Sequence, residues 1–295
     1  MAYPQEGSEL PDLSMDSGIK SKIKYNLEGL IPVILILIIA FFLAARFGVI
    51  TCSTPILGPV ACALPGLAPN PASVLIIGTP TTATMKVLNE SKDLANPVTI
   101  KTETALEHNP EAYLANYDIV ILDQEAQASK EVSRQLGEAI QNYVSKGGKL
   151  IVVKNSGIFR PAAADVLGWT ANFGNIVPVE CTTQGMSNTP SCLDSAAVPV
   201  RGKLYPGANG FNHPIMQGYQ DGVPSMPGTT LSVMNIFDVT LAPGAQEVAY
   251  LQDERNNAYY PAIVESPQLV GKSLYFNYDP GATPGIFQAT LDYLH

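Results

Sequence analysis

Charge is scarce in this chain of 295 residues, and several common functional signatures are missing. Only 15% of the residues are charged, and no cluster of Lys and Arg interleaved with aromatic residues occurs. Because the formal net charge is −9, the protein repels a phosphate backbone, which argues against nucleic-acid binding. The sequence also lacks G-x-x-x-x-G-K-[ST], G-x-G-x-x-G and H-E-x-x-H, so P-loop, dinucleotide and zincin sites have no support.

A long apolar run over residues 29–50 contrasts with the rest of the chain. It carries no charge before Arg46, and about 20 apolar residues are enough to cross a bilayer. Pro32 falls in the first turn, where its missing N–H costs little, and Arg46 can extend its guanidinium to the headgroups. We therefore predict a single transmembrane helix that anchors the chain in the lipid bilayer. A cleaved signal peptide, a lipoprotein signal ending at Cys52 and a buried core helix are the alternatives.

The charges that flank the apolar run predict its orientation. Lys20, Lys22 and Lys24 precede it, whereas only Arg46 lies at its far end. By the positive-inside rule the N-terminus lies in the cytoplasm. Residues 1–28 show no periodicity and are predicted to be a disordered cytoplasmic tail. The rest of the chain is then an extracytoplasmic part of a single-pass protein of the cell membrane.

Cysteine usage agrees with this orientation, because all four cysteines follow the apolar run. They are Cys52, Cys62, Cys181 and Cys192. No C-x-x-C occurs and no His stands at ligand spacing from any of them, so we predict neither a metal site nor a cofactor. An even number of cysteines outside the cytoplasm favours disulfides, and four allow three pairings. Short loops flanked by Pro and Gly favour Cys52 with Cys62 and Cys181 with Cys192.

Beyond the anchor, the sequence divides into a stalk and a folded domain. Five prolines between residues 51 and 72 disfavour helix and predict an extended, Pro-rich stalk. From residue 73 onward, short apolar runs alternate with helical patterns. Strands are predicted at 73–78, 98–104, 117–123 and 149–154, and helices at 82–94 and 129–146, the latter capped by Ser129 and ended by Gly147. This alternation predicts an α/β fold with a doubly wound parallel sheet.

The second half of the domain is less regular. A helix is predicted from 160 to 169, after which residues 171–227 are rich in Gly, Pro, Asn and Ser. We interpret 171–227 as an insertion that a disulfide between Cys181 and Cys192 would hold in place. Strands predicted at 231–237, 247–252, 260–265 and 272–278 form an antiparallel extension, and a helix at 286–294 follows them.

Four phrases, in this order, resemble the class I glutamine-amidotransferase-like superfamily. They are Tyr117–Asp123, Ala139–Val153, Asn212–Gly218 and Gly271–Asp279. The resemblance covers residues 73–295 and is to the non-catalytic, membrane-associated branch, which includes gliding-motility, intraflagellar-transport and trehalose-utilisation-like domains. It implies a flavodoxin-like sheet. In catalytic members a Cys nucleophile sits on a sharp turn after a strand, with a His and an acidic partner.

At the matching place this chain has the turn 154–157, which contains Ser156 but no Cys. A serine nucleophile needs a base, and His213 is the best candidate for that role. However, the His-Pro-Ile turn that contains His213 is commonly structural, and no Gly-x-Ser-x-Gly surrounds Ser156.

Polar residues cluster after the predicted parallel strands, at the edge where open α/β sheets bind ligands. Together with His213, the candidate ligand-binding residues are Thr79, Thr81, Asp123, Gln124, Asn155 and Ser156. These residue types also cap helices and close turns, so they do not by themselves specify a ligand.

The function that the sequence favours is a non-catalytic binding module of the cell envelope, anchored in the membrane. Its expected partner is another envelope or membrane protein, an envelope polymer or a small ligand. One alternative is a hydrolase of envelope material that uses Ser156 with His213, or Asp123. Another is a structural subunit of a cell-surface assembly.

Overall fold

The computed structural model describes residues 32–41, 70–160, 168–184, 189–218, 233–267 and 270–295. Residues 32–41, which belong to the predicted membrane anchor, are helical. Within the described ranges, no helix is both long enough and apolar enough to cross a bilayer. The predicted tail, most of the stalk and the rest of the anchor lie outside these ranges, so the anchor stays a prediction. Residues from Asn70 onward form a compact unit, called the α/β domain below.

The described part of the α/β domain contains thirteen strands. They are β1 (Ala72–Gly78), β2 (Ala95–Lys101), β3 (Ile119–Asp123), β4 (Lys149–Val153), β5 (Val179–Cys181), β6 (Thr183–Gln184), β7 (Thr189–Pro190), β8 (Val198–Pro206), β9 (Val233–Ile236), β10 (Val239–Leu241), β11 (Gln246–Asp253), β12 (Tyr259–Pro267) and β13 (Lys272–Phe276). Nine of them form one sheet, in the order β2-β1-β3-β4-β13-β12-β11-β8-β9. Two small ribbons pair β5 with β10 and β6 with β7.

One half of the large sheet is parallel. Strands β2, β1, β3, β4 and β13 all run in the same direction. Their order is that of a flavodoxin-like sheet, in which the winding reverses between β1 and β3. Most of the side chains of β1, β3 and β4 are fully buried, as expected for parallel strands covered on both faces. The predicted α/β fold with a flavodoxin-like sheet therefore fits the structure.

Helices cover both faces of the parallel half. The described helices of the domain are α1 (Thr82–Glu90), α2 (Pro110–Leu114), α3 (Arg134–Ser145), α4 (Trp169–Phe173) and α5 (Pro284–Leu294), with short 3-10 turns at Thr104–Leu106, Gly174–Ile176, Asp194–Ala196, Pro214–Gly218 and Pro280–Ala282. One apolar core joins α1 and α5 to the first face through residues such as Ile76 and Phe287. The other core joins α2, α3 and α4 to the second face through residues such as Leu122 and Trp169.

Helix α3 begins one turn later than predicted. Its N-cap is Ser133, whose hydroxyl accepts the Leu136 amide at 3.2 Å, so the predicted cap Ser129 is wrong. The residues before it are held in an extended conformation, because Val132 donates its amide to the Phe159 carbonyl at 3.0 Å. The predicted end is confirmed, since Gly147 follows the helix with φ +106°.

The other half of the large sheet is antiparallel, as predicted. Strand β12 pairs with β13, β11 with β12, β8 with β11 and β9 with β8. Strand β8 lies inside the predicted insertion, where the sequence analysis identified no strand. Its prolines and Gly202 lower its strand propensity, but Gly202 fits the sheet because a Cβ there would lie 1.8 Å from the Gln252 carbonyl oxygen.

The insertion also carries a disulfide. Cys181 and Cys192 are bonded, with their Cα atoms 5.5 Å apart, which confirms one of the two predicted pairs. Cys52 and Cys62 lie outside the described residues. The predicted helix at 160–169 is described only in part, and α4 begins at Trp169, where that prediction ended.

Candidate functional site

The switch point of the parallel sheet lies between the ends of β1 and β3. Gly78, the last residue of β1, has φ +121°, and a Cβ there would lie 2.1 Å from the Asp123 carbonyl oxygen. The next residue, Thr79, donates its amide to that same oxygen at 2.8 Å. Only glycine permits this approach. The two strands are therefore joined by their backbones where an open α/β sheet binds its ligand.

Asp123 is a fully buried carboxyl at this edge. Its Oδ1 accepts the Glu125 amide at 3.1 Å, whereas its Oδ2 has no hydrogen-bond partner among the described residues. Burial raises the pKa of Asp123 from 3.8 to about 7, while the Glu125 amide lowers it and the negative charges of Glu125 and Asp279 raise it. The side chain is therefore close to half protonated near neutral pH.

A second carboxyl, Asp279, follows β13 and holds the start of α1. One of its oxygens accepts the Thr81 hydroxyl at 2.8 Å, and the other accepts the Thr84 hydroxyl at 2.6 Å. Thr81 is also the N-cap of α1, since its Oγ1 accepts the Thr84 amide at 3.1 Å. This network fixes the loop after β1 against the end of β13 and uses the polar groups of Thr81 for structure.

Two lysines lie beside the acidic groups. Lys154, the first residue after β4, has a left-handed backbone with φ +51°, and its Nζ lies 2.5 Å from Oε1 of Glu125. Lys130 is buried, and its ammonium donates to the carbonyls of Gln124, Glu125 and Gln127. Desolvation lowers the pKa of Lys130. The edge thus combines carboxylates and ammonium groups in the interior of the fold.

The turn after β4 is packed into the fold through Ser156. This side chain is fully buried, and its Oγ accepts the backbone amide of Gln124 at 2.8 Å. The Ser156 carbonyl accepts the Trp169 indole N–H at 2.9 Å. Gln124 extends the connection, since its Oε1 accepts the Gly157 amide at 2.9 Å and its Nε2 donates to the Glu131 carbonyl at 3.0 Å. Both predicted residues therefore join β3 to the turn.

Asn155 ties the same turn to the disulfide-bearing insertion. Its Nδ2 donates to the Cys192 carbonyl at 3.2 Å and to a carboxylate oxygen of Asp194 at 2.8 Å. Asn155 and Cys192 are both buried. The Cys181–Cys192 bond thus restrains a segment that contacts the candidate site directly.

His213 lies away from this edge. Its Nε2 is 3.1 Å from Oε2 of Glu265, and its ring packs edge-on against Tyr293 of α5 at 4.9 Å. Although burial raises the pKa of Glu265, hydrogen bonds from His213 and Tyr293 lower it overall. Helix α5 covers the first face of the sheet, whereas Ser156 contacts α4 on the second. The sheet therefore separates His213 from Ser156.

The other histidines do not supply a base to Ser156 either. His108 is exposed next to α2, and the His295 ring contacts the Asn70 carbonyl at 2.5 Å. Among the described residues, no group of three or more His, Cys, Asp and Glu side chains is arranged to hold a metal ion. The structure thus joins six of the seven predicted ligand-binding residues in one edge network and leaves His213 outside it.

Sequence reasoning missed three residues of this network, namely Lys130, Lys154 and Asp279. Lys154 and Asp279 follow β4 and β13 closely, so the rule that ligands bind at strand ends could have found them. No local pattern marks Lys130, because its role depends on carbonyls in a loop that is irregular in sequence.

No protein-family model and no curated protein matches the chain. Similar solved structures include a cytoplasmic protein of Salmonella typhimurium at 17% identity and a TM-score of 0.47, covering 76% of this chain and 97% of the other. A ThuA-like protein of Bacteroides uniformis has 12% identity and a TM-score of 0.46, covering 77% and 91%. A GMP synthase subunit of Thermoplasma acidophilum has 8% identity and a TM-score of 0.41, covering 75% and 93%. These similarities are consistent with the amidotransferase-like fold that the sequence resembles, and carry no argument about family or activity.

Proposed function

We propose that this chain is a membrane-anchored binding module whose α/β domain lies outside the cytoplasm. In this proposal the domain recognises a component of the cell envelope, either another membrane or envelope protein or a polymer, and catalyses no reaction. The membrane anchor and the extracytoplasmic location rest on the apolar run at 29–50 and its flanking lysines. The disulfide between Cys181 and Cys192 supports an oxidising compartment.

The observation that carries the absence of catalysis is the use of Ser156. A serine nucleophile needs an accessible hydroxyl and a base within hydrogen-bond reach. Here the hydroxyl is buried and accepts a backbone amide, and no described histidine contacts it. Lys154 occupies the left-handed position of the turn and is paired with Glu125. The turn that would present a nucleophile is therefore used to connect β3, β4 and the insertion.

One observation favours the second candidate, an envelope hydrolase. Asp123 has an unpartnered Oδ2 and a pKa raised to about 7, which suits a general base. An enzyme of this kind would use Asp123 to activate water and would not need Ser156. Its Oδ2 is buried, however, so a substrate could reach it only after the edge opens.

Cysteine labelling in intact cells tests the location of the domain. Ala112→Cys, at an exposed position of α2, should react with a membrane-impermeant maleimide on intact cells. The matched variant Ser8→Cys, in the predicted tail, should react only after lysis. Labelling in the reverse pattern would rule out the proposed orientation.

Turnover of generic ester and amide substrates tests the absence of catalysis. The full-length wild-type protein and the Ser156→Ala and Asp123→Asn variants should all show only the background rate. Wild-type turnover that disappears in Ser156→Ala contradicts the proposal, and turnover that disappears in Asp123→Asn selects the second candidate. Binding is tested by a photo-crosslinking residue at exposed Thr79, with the same residue at Ala112 as control. Adducts should form at Thr79 and not at Ala112, and their absence at both positions contradicts a ligand at this edge.

A further inference from the structure

The antiparallel half of the sheet carries a set of polar and aromatic side chains on one face. In register, Lys203 lies beside Gln252 and Gln252 beside Tyr259, while in the next row Tyr205 lies beside Tyr250. Arg201 belongs to the same face of β8, because side chains two residues apart point to the same side. We call this set the tyrosine face and define it by Arg201, Lys203, Tyr205, Tyr250, Gln252 and Tyr259.

This face is opposite the apolar core. Along β8 the burial alternates, with Val200 and Leu204 in the core and Arg201, Lys203 and Tyr205 on the other side. On β11 the core takes Leu251, which leaves Tyr250 and Gln252 facing outward. The side chain of Tyr259 is 72% exposed. Aromatic rings are therefore presented on a flat, regular surface without being needed for the core.

The rings are ordered by contact with one another. Tyr205 and Tyr250 stack with their centroids 5.5 Å apart and their planes at 22°, and Tyr250 meets Tyr259 edge-on at 6.1 Å. Such pairs restrict the rings, so less conformational freedom is lost when a ligand binds. The neighbouring amide of Gln252 and the tyrosine hydroxyls supply hydrogen-bond donors and acceptors in the same plane. Flat apolar rings edged with polar groups suit a ligand that is also flat and hydroxylated.

The charge of the face differs from that of the domain. Beyond residue 50 the chain has 21 acidic and 13 basic residues. On the tyrosine face Arg201 and Lys203 are cationic, and a neighbouring anion, Glu254, lies 3.4 Å from the Lys203 ammonium. The guanidinium of exposed Arg201 has no partner among the described residues. An otherwise acidic domain thus offers a locally positive surface, complementary to an anionic ligand.

We propose that the tyrosine face binds a polysaccharide that carries carboxylate or sulfate groups. Sugar rings would pack on the tyrosines, while Arg201 would pair with the acidic substituent. A protein partner is less suited to this surface, because protein interfaces are depleted in Lys and have an apolar core, and none of the six side chains is aliphatic. The inference deepens the proposed function by naming a class of envelope polymer, and depends on it only for the compartment where the polymer is met.

Affinity electrophoresis of the full-length protein in non-ionic detergent tests the proposal. Native gels would contain polygalacturonate, chondroitin sulfate or neutral dextran. We expect the two anionic polymers to retard the wild-type protein and dextran to retard it less. Tyr250→Ala should weaken binding about tenfold, the loss expected for one good aromatic contact, and Tyr250→Phe should retain it. Arg201→Gln should remove the preference for anionic polymers.

Tyr113→Ala is the matched control, because Tyr113 is an exposed tyrosine (42%) on α2, outside the face. If Tyr250→Ala fails to fold, Tyr259→Ala replaces it, since that ring lies at the surface. The proposal is overturned if neither anionic polymer retards the protein, or if Tyr113→Ala weakens binding as much as the tyrosine-face variants do. A photo-crosslinking residue at Tyr259 that captures only protein in intact cells would also overturn it. Cysteine labelling and turnover, which test the proposed function, do not depend on these outcomes.

Discussion

The buried carboxyl of Asp123 should make the stability of the α/β domain depend on pH. Its pKa is raised to about 7 in the folded state, against 3.8 when the side chain is solvated. An acid whose pKa rises on folding binds its proton more tightly in the folded protein. Its favourable contribution is therefore fully present below pH 3.8 and is lost as the pH rises toward 7. Above pH 7 the total loss is about 4 kcal/mol, since one pKa unit corresponds to about 1.4 kcal/mol.

The substitution Asp123→Asn removes this titration while keeping the size of the side chain. Its Oδ1 can still accept the Glu125 amide, as the carboxyl does now. Between about pH 5 and pH 8 the wild-type protein should lose roughly 2 to 3 kcal/mol more than the variant. For a domain of this size the difference corresponds to about 5 to 10 °C in Tm.

The assay is thermal unfolding of the full-length protein in detergent at pH 5 and pH 8. Subtracting the variant from the wild type removes the contributions of other titrating groups, including His213 and Glu265. Asp292→Asn, which changes a carboxyl on α5 outside the edge network, is the control and should keep the wild-type pH dependence. If Asp123→Asn loses as much stability between pH 5 and pH 8 as the wild type does, the argument from burial is refuted.

Three further predictions concern stability. Ser156→Ala should lower the free energy of unfolding by about 1–3 kcal/mol, because a buried amide loses its acceptor; urea titration measures the change. Replacing Cys181 and Cys192 together by Ser should cost about 3 kcal/mol, and a reductant should lower the Tm of the wild type but not that of the double variant. Gly78→Ala should cost about 3 kcal/mol or more, since its Cβ would overlap a carbonyl oxygen, whereas Gly244→Ala, with nothing within 4 Å, should cost less; equal losses of Tm would contradict this.

The parallel half of the fold was predictable because its strands are continuous apolar runs. Residues such as Ile76, Ile121 and Ile151 lie in stretches bounded by turn residues, and each is buried in a strand close to its predicted position. Strand β8 was not predictable in this way, because its prolines and Gly202 resemble loop sequence. It is a strand because neighbouring β11 leaves room only for a glycine at that position.

The candidate site was predictable as a location but not as a network. Thr81, Asp123 and Ser156 were identified from their positions after strands, and the structure places them at one edge. Their partners are distant in sequence: Thr81 bonds Asp279, and Ser156 bonds Gln124. The pairing of Ser156 with His213 was a hypothesis from residue type alone. It required two faces of a sheet to meet, which no local pattern can reveal.

The position of β13 has a consequence for how the protein is made. This strand lies between β4 and β12, so it alone joins the parallel half of the large sheet to the antiparallel half. A ribosome synthesises β13 after every other described strand. Until Lys272–Phe276 emerges, β4 has no partner on that side, and the two halves expose unpaired backbone edges. A nascent chain would therefore need protection from aggregation until its final strand is available.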